Sequence, residues 1–271
     1  MSLCRIALRI AAVEALKGRT LVGDHVLDSP NGAMDVQADG SLRTEEERPF
    51  IAVYTDQGKA EGLTGRTLIE NGVCDIVFEM GISAAMTELD KSTGATTLIG
   101  IEVPASDSTK EFYLDVVQRQ LADALNDPEN AWGEIYRGLH YRVRKTEFVG
   151  ARNADDGQRL AGHQLRITVD LADDPVMGEE LDPQAAFAQF LAALEATSDS
   201  TYLTQAATIR SLLTGTDEPW QSLQRRNGMT ASELLALGRG PLANDKERAT
   251  PPMSAGTAEW NGGPTVTETG S

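Results

Sequence analysis

The sequence predicts an α+β fold: an antiparallel or mixed β-sheet with helices packed on one face, followed by a C-terminal helical annex and a disordered tail. Apolar residues recur every three or four positions at residues 3–17, at 107–125 and beyond 182, as in amphipathic helices. Short apolar or alternating runs, typical of strands, lie between these segments. Strands mixed with helices in this order favour helices on one face of a sheet.

Composition shifts divide the chain into three predicted parts. Residues 1–175 form the α+β domain, and residues 176–242 form the helical annex. Residues 243–271 are rich in Thr, Gly, Pro, Ser and Glu. Such a segment buries too little apolar surface to offset its ordering entropy, so we expect a disordered tail.

The first third of the chain predicts one helix and two extended segments. Apolar residues line one face of the first helix, and Gly18 can end it in the left-handed conformation. The run PFIAVYT at 49–55 predicts a strand buried on both faces. The expected elements are, in order, a helix at 3–17, an extended segment at 24–28, a polar loop at 29–48, the strand at 49–55 and a long loop at 56–72. Long loops are often functional, so we treat the loop at 56–72 as a candidate interface.

The middle of the chain predicts a hairpin and the clearest helix. Residues 74–86 alternate as in a strand, a polar turn follows at 88–95, and the apolar run at 96–103 can pair back as a hairpin. Residues 107–125 predict a helix in which Ser108 and Glu111 have capping-box spacing.

The following region predicts a short helix and two strands. The helix covers residues 132–139, and the strands cover 141–149 and 164–171, separated by a turn-rich run at 150–162. In the second strand Leu165, Ile167 and Val169 alternate with polar residues, which indicates a half-buried antiparallel strand.

The annex predicts three helices. The first begins with Asp182 as cap and Pro183 as its first residue. The second covers residues 203–213, and the third runs from Thr230, with capping-box spacing to Glu233, as far as Gly238.

Net charge and cysteine content exclude several classes of protein. The formal net charge is −17, which disfavours a general grip on DNA or RNA backbones. No stretch approaches the about 20 apolar residues of a membrane span. Two separated cysteines, Cys4 and Cys74, do not form a disulfide framework, and we expect a reducing compartment.

The motif search assigns no catalytic, cofactor-binding or metal-ligating residue. His25, His140 and His163 lie far apart in sequence, so we expect structural or surface histidines. Gly58, Gly62 and Gly65 do not have the spacing of a phosphate-binding loop. We therefore expect no cofactor and no enzyme activity.

Charged clusters leave alternatives open. Acidic pairs or triplets occur in predicted loops and favour solvated surfaces over calcium sites; they lie at 45–47, 155–156, 173–174 and 179–180. The basic stretch with Arg142, Arg144 and Lys145 is either an interface for an acidic neighbour or the wet face of an edge strand. Trp220, beside Arg225 and Arg226, is either a helix-packing residue or an anchor for a partner.

Several phrases, taken in order, resemble the tail terminator proteins of lambda-like siphophages. The phrases are LRIAAVEAL (8–16), TLVGD (20–24), VLDS (26–29), PFIAVYT (49–55), IEVPA (101–105), the helix after Asp107 and the strand at 164–171. The resemblance covers about residues 3–174. The annex and the tail extend beyond the minimal pattern of that family.

The resemblance implies a structural virion protein without a catalytic motif. Such proteins form a hexameric ring on the last ring of tail-tube subunits, end tube polymerisation and offer a surface to the head–tail connector. They assemble in the host cytoplasm and then lie in the virion neck, with DNA passing through the lumen without specific binding. An acidic subunit suits a lumen through which DNA must slide.

The sequence also fits three other classes of protein. Another neck component, such as a head–tail joining or tail-completion protein, shares the class and size. A tail-tube subunit would polymerise beyond one ring. A metal-dependent hydrolase would use the loop carboxylates.

Overall fold

The computed structural model describes residues 2–31, 33–36, 42–43, 46, 48–62, 65–83, 87–89, 96–98, 106–153, 160–215, 218–241, 255–258 and 266–269. The helices in this part of the chain are α1 (Leu3–Leu16), α2 (Asp107–Asn126), α3 (Ala131–Gly138), α4 (Ala186–Glu195), α5 (Ser200–Leu213), α6 (Pro219–Asn227) and α7 (Ala231–Ala236). The strands are β1 (Val26–Asp28), β2 (Asp35–Val36), β3 (Leu42–Arg43), β4 (Phe50–Lys59), β5 (Val73–Ser83), β6 (Thr87–Leu89), β7 (Thr96–Leu98), β8 (His140–Asn153), β9 (Leu160–Leu171), β10 (Ala255–Ala258) and β11 (Val266–Thr269).

A five-stranded mixed sheet organises the fold, with strand order β1-β4-β5-β9-β8. Strand β1 runs parallel to β4, and the other neighbours are antiparallel. The α+β class predicted from the sequence is confirmed. Strand β9 pairs with β5 on one side and β8 on the other, which makes it an interior strand and β8 an edge.

The two faces of the sheet differ in polarity. Ile76, Phe78 and Met80 share one face and are fully buried; α1, α2 and α3 contact the sheet. On the other face Asp75 accepts hydrogen bonds from Arg166 Nη1 (3.0 Å) and Thr168 Oγ1 (2.6 Å). The alternation of residues 164–171 therefore places its apolar side chains toward the helices, as predicted.

Helix α1 is more deeply buried than its predicted single apolar face requires. Buried residues lie on several sides of it: Cys4, Ala7, Leu8, Ile10, Ala11, Ala12, Val13, Ala15 and Leu16. It contacts β1 and β4 and also α2, α3 and α4. Both the sheet and other helices pack against α1, and the small alanine side chains of α1 allow these elements to approach closely. Helix α1 is therefore a core element.

Three strand predictions are corrected by hydrogen-bond pairing. Strand β4 continues to Lys59, past the expected end at 55, because β5 offers it partners after a register shift between Thr55 and Gly58. The predicted hairpin between 74–86 and 96–103 is wrong, since β5 pairs with β4 and β9, while β7 pairs with β6, which overlaps the start of the expected turn. Residues 84–86, 90–95 and 99–103 of these predictions lie outside the described residues. The polar loop at 29–48 contains the short pair β2 and β3.

The second pair of strands is longer than predicted. Strands β8 and β9 pair from His140 and Leu171 to Asn153 and Leu160, so the run at 150–162 contributes residues to both strands. Residues 154–159, with the acidic pair at 155–156, lie outside the described part.

The predicted cap of α2 and the predicted start of α4 are wrong, and the predicted cap of α7 is confirmed. The capping box at Ser108 is wrong: Ser106 is the N-cap of α2, and its side chain accepts from the Thr109 N–H. Helix α4 starts at Ala186 and not at Pro183, because Asp182 accepts from the Gln184 N–H and forms a turn first. The capping box of α7 between Thr230 and Glu233 is confirmed, whereas the sequence prediction missed α6.

The chain forms two compact units, which divide it elsewhere than the predicted boundary at 175. The first unit holds residues 1–62, 69–175 and 180–212, and so includes α4 and most of α5. The second holds residues 63–68, 176–179 and 213–271. Most of the predicted disordered tail lies outside the described residues; its two described segments, β10 and β11, pair antiparallel. Among the described helices, not one combines the length and the apolar character that crossing a bilayer requires.

Candidate functional site

Strand β8 is an exposed edge of the sheet. All residues from Tyr141 to Gly150 are exposed, and β9 is the neighbour that pairs with them in the described chain. Four of these are large and apolar: Tyr141, Val143, Phe148 and Val149 are 75, 51, 50 and 56% exposed. Open edges that carry apolar side chains are templates for pairing with another chain.

A groove of about 690 Å³ lies between α2 and this edge. Leu121 and Leu125 of α2 form one apolar wall, and Val143, Leu165 and Ile167 contribute the strand side. Polar and charged residues also line it; these are Asp115, Gln118, Arg119, Asn126, Arg137, His140, Arg142 and Thr146. An apolar floor with a polar rim is typical of surfaces that bind a partner.

Two irregularities shape the start of β8. The register with β9 shifts between His140 and Arg142 and again between Val143 and Lys145. The second shift leaves Arg144 as an extra residue, so both Arg142 and Arg144 form ion pairs with Asp170. These ion pairs hold the pKa of the Asp170 carboxyl below its ordinary value. The prediction that both arginines share a face is confirmed, and each has a carboxylate partner within its own chain.

At the other end of α2 the fold brings together three groups that are far apart in sequence. Glu111 and Asp115 lie one turn apart on α2, and His163 of β9 faces them. One ligand atom from each of these side chains lies within 4.8 Å of the others. His163 is 1% exposed, and its Nε2 lies 3.2 Å from Glu111 Oε1. The sequence patterns did not predict this cluster, although the sequence shows the i, i+4 spacing of the two carboxylates.

The remaining histidines occupy structural positions. His25 Nδ1 lies 3.0 Å from the Pro49 carbonyl oxygen, and its Nε2 lies 3.0 Å from Glu46 Oε2. His140 Nδ1 lies 3.0 Å from the Tyr136 carbonyl oxygen. Burial lowers the pKa of His140, since desolvation disfavours the charged ring.

Acidic residues of the predicted clusters have different partners in the fold. Asp174 accepts hydrogen bonds from the start of α1, and Glu179 pairs with Arg226 in the second unit. Glu46 contacts His25, while residues 45 and 47 lie outside the described part. Trp220 packs with Ala231 and Leu234, as the helix-packing alternative expects.

No protein-family model matches the sequence, and no curated protein matches it either.

Proposed function

We propose that this chain is a structural assembly subunit of the tail-terminator type. Copies would form a ring, hexameric as in the family it resembles, that caps a phage tail tube and offers a surface to neck proteins. The observation that carries the proposal is the exposed edge of β8 beside the apolar groove along α2.

An exposed edge of this kind makes an isolated subunit prone to pairing with other chains. Natural proteins shorten, charge, bulge or cover long edge strands, since unpaired backbone groups recruit other chains. Here the bulges at Tyr141 and Arg144 interrupt the first part of the strand, while Phe148 and Val149 remain exposed beyond them. We infer that a second copy covers this edge.

The two edges of the sheet allow head-to-tail contact between copies. The sheet ends in two unlike edges, the three-residue strand β1 and the long strand β8. Contacts between unlike surfaces propagate head to tail and close into a ring when the rotation allows. The net charge of −17 suits a lumen through which DNA passes without adhering.

The experiment is a mass measurement by light scattering, first with the purified protein and then with tail-tube protein added. We expect a closed ring, or capture on tube ends that limits tube length. Val143→Lys places a charge at the edge and should reduce assembly while leaving the circular dichroism spectrum unchanged. Leu212→Lys is the matched control, since Leu212 is a 56% exposed apolar residue on α5.

Other outcomes would identify the competing assembly roles. Tubes growing beyond one ring would indicate a tail-tube subunit, and binding to portal or head-completion protein alone would indicate a head-side neck component. A monomer that ignores tubes would contradict the proposal.

A metal-dependent hydrolase is the alternative from another class of function, and it has its own test. Zinc-dependent ester hydrolysis by the wild type, lost in Asp115→Asn, would favour this activity over assembly.

A further inference from the structure

We propose that Glu111, Asp115 and His163 bind a divalent transition-metal ion of the Zn²⁺ class, which joins α2 to the interior strand β9. The site goes beyond the proposed assembly role and does not depend on it. Two carboxylates and one imidazole supply three ligands and leave a fourth tetrahedral position for water.

The geometry of the three groups fits a small ion. Ligand atoms about 2.0–2.2 Å from a tetrahedral zinc lie roughly 3.3–3.5 Å from one another. The 3.2 Å separation between His163 Nε2 and Glu111 Oε1 is already close to that spacing. All three ligand atoms lie within 4.8 Å of one another, so adjustment of the side chains can bring them to tetrahedral spacing.

The imidazole is held in place by the sheet. His163 pairs with Met80 on one side and Gly150 on the other, and its side chain is 1% exposed. Phe148 packs edge-on against the ring, with centroids 4.7 Å apart and planes at 88°. A buried, oriented ring requires little reorganisation to act as a ligand.

The carboxylates keep the site accessible. Glu111 is one-third exposed, and Asp115 is exposed and lines the groove between α2 and β8. An ion can therefore enter from the groove side and meet the buried imidazole last. Imidazole favours Zn²⁺ over Mg²⁺ or Ca²⁺, which prefer all-oxygen sites.

The surroundings of His163 Nδ1 predict a moderate affinity for Zn²⁺. Metal-bound histidines usually donate their second ring N–H to an acceptor, and loss of that acceptor costs about 10–100-fold in affinity. His163 Nδ1 is buried and finds no such partner among the described residues. We expect binding weaker than that of a fully supported zinc site by about this factor.

The test is calorimetric titration of the full chain with Zn²⁺ and with Mg²⁺. We expect one Zn²⁺ per chain, reversal by chelator and no comparable heat with Mg²⁺. Glu111→Gln and Asp115→Asn should each weaken Zn²⁺ binding at least about tenfold, since each removes one of three ligands. Asp123→Asn, a change at an exposed carboxylate of α2 that pairs with Arg119, should leave it unchanged.

A second measurement locates the ion in the wild-type protein. In nitrogen NMR spectra, Zn²⁺ should shift the ring signals of His163 and leave those of His25 and His140 in place. Absence of binding, equal binding by the Asp115→Asn variant, or shifts confined to His25 would overturn the proposal.

Discussion

Asp174 lies just after β9 and connects this part of the chain to the start of α1. Its carboxylate accepts hydrogen bonds from Ser2 Oγ (2.7 Å) and from the backbone N–H groups of Leu3 (2.8 Å) and Cys4 (2.9 Å). Asn71 Nδ2 donates to the same carboxylate at 2.9 Å. The first N–H groups of a helix have no partner within the helix, so this distant carboxylate caps α1.

Replacing Asp174 with alanine should destabilise the first unit. Four donors lose their acceptor, and the loss of a helix cap typically costs about 1–2 kcal/mol. Urea unfolding followed by circular dichroism measures the change. Glu61→Ala, at an exposed carboxylate that pairs with Lys59, is the control and should leave the midpoint nearly unchanged. Equal midpoints for both variants would contradict the capping role.

The two thiols should be unreactive in the folded protein. Burial raises the pKa of Cys74 to about 11, and burial with the nearby Asp174 and Asp173 carboxylates raises the pKa of Cys4 further. A thiol of pKa about 11 is only roughly one part in a thousand thiolate at pH 8, and the thiolate is the nucleophile. Maleimide labelling followed by mass spectrometry should modify neither cysteine at pH 8 and both in urea. Rapid labelling of either cysteine without urea would show that its burial is transient.

The sequence pattern predicted the position of a side chain where that position depends only on neighbours along the chain. The alternation of Leu165, Ile167 and Val169 follows from strand geometry, and it is confirmed by the pairing with β5 and by the contacts of the intervening polar residues with Asp75. The neighbours of His163 could not be predicted, because Glu111 is 52 residues away and only the pairing of α2 with β9 brings them together. The cap by Asp174 is hidden for the same reason.

Among the elements, β8 carries the clearest departure from regular geometry. Its two register shifts turn Arg142 and Arg144 to one carboxylate, Asp170. The sequence predicted the strand and the shared face, but bulges depend on the partner strand, so their positions were not visible in the pattern. The same dependence explains the wrong hairpin: the alternation at 74–86 identified a strand but not which strands pair with it.

The ion pairs of Asp170 can be tested by titration. Because the folded pKa lies below the ordinary value, the pairs contribute stability above the unfolded pKa and lose it as pH falls through the folded pKa. Carbon NMR of the side-chain carboxyl should give a midpoint below the usual 3.8. The double substitution Arg142→Gln with Arg144→Gln should raise that midpoint toward the usual value, whereas Arg119→Gln, beside Asp123, should not change it. A midpoint unmoved by the double substitution would exclude the arginines as the cause.

Considered as a whole molecule, the chain combines strong negative charge with one apolar, basic edge. Each copy carries −17, so two copies repel at a distance. Arg142 and Arg144 offer little compensating attraction, because Asp170 already pairs with both of them. Apolar contacts along Val143, Phe148 and the groove must therefore supply most of the attraction in the proposed ring.

Self-association should then strengthen with salt. The Debye length falls from about 30 Å at 0.01 M to about 10 Å at 0.1 M ionic strength, which screens the long-range repulsion and leaves the apolar contacts in place. Sedimentation velocity at fixed protein concentration measures the oligomer fraction from 0.01 to 0.5 M sodium chloride, a range over which the screening length falls from about 30 Å to about 4 Å. Association that weakens as salt rises would mean that Arg142, Arg144 and Lys145 bind an acidic surface of the neighbour, and would replace the apolar interface with an electrostatic one.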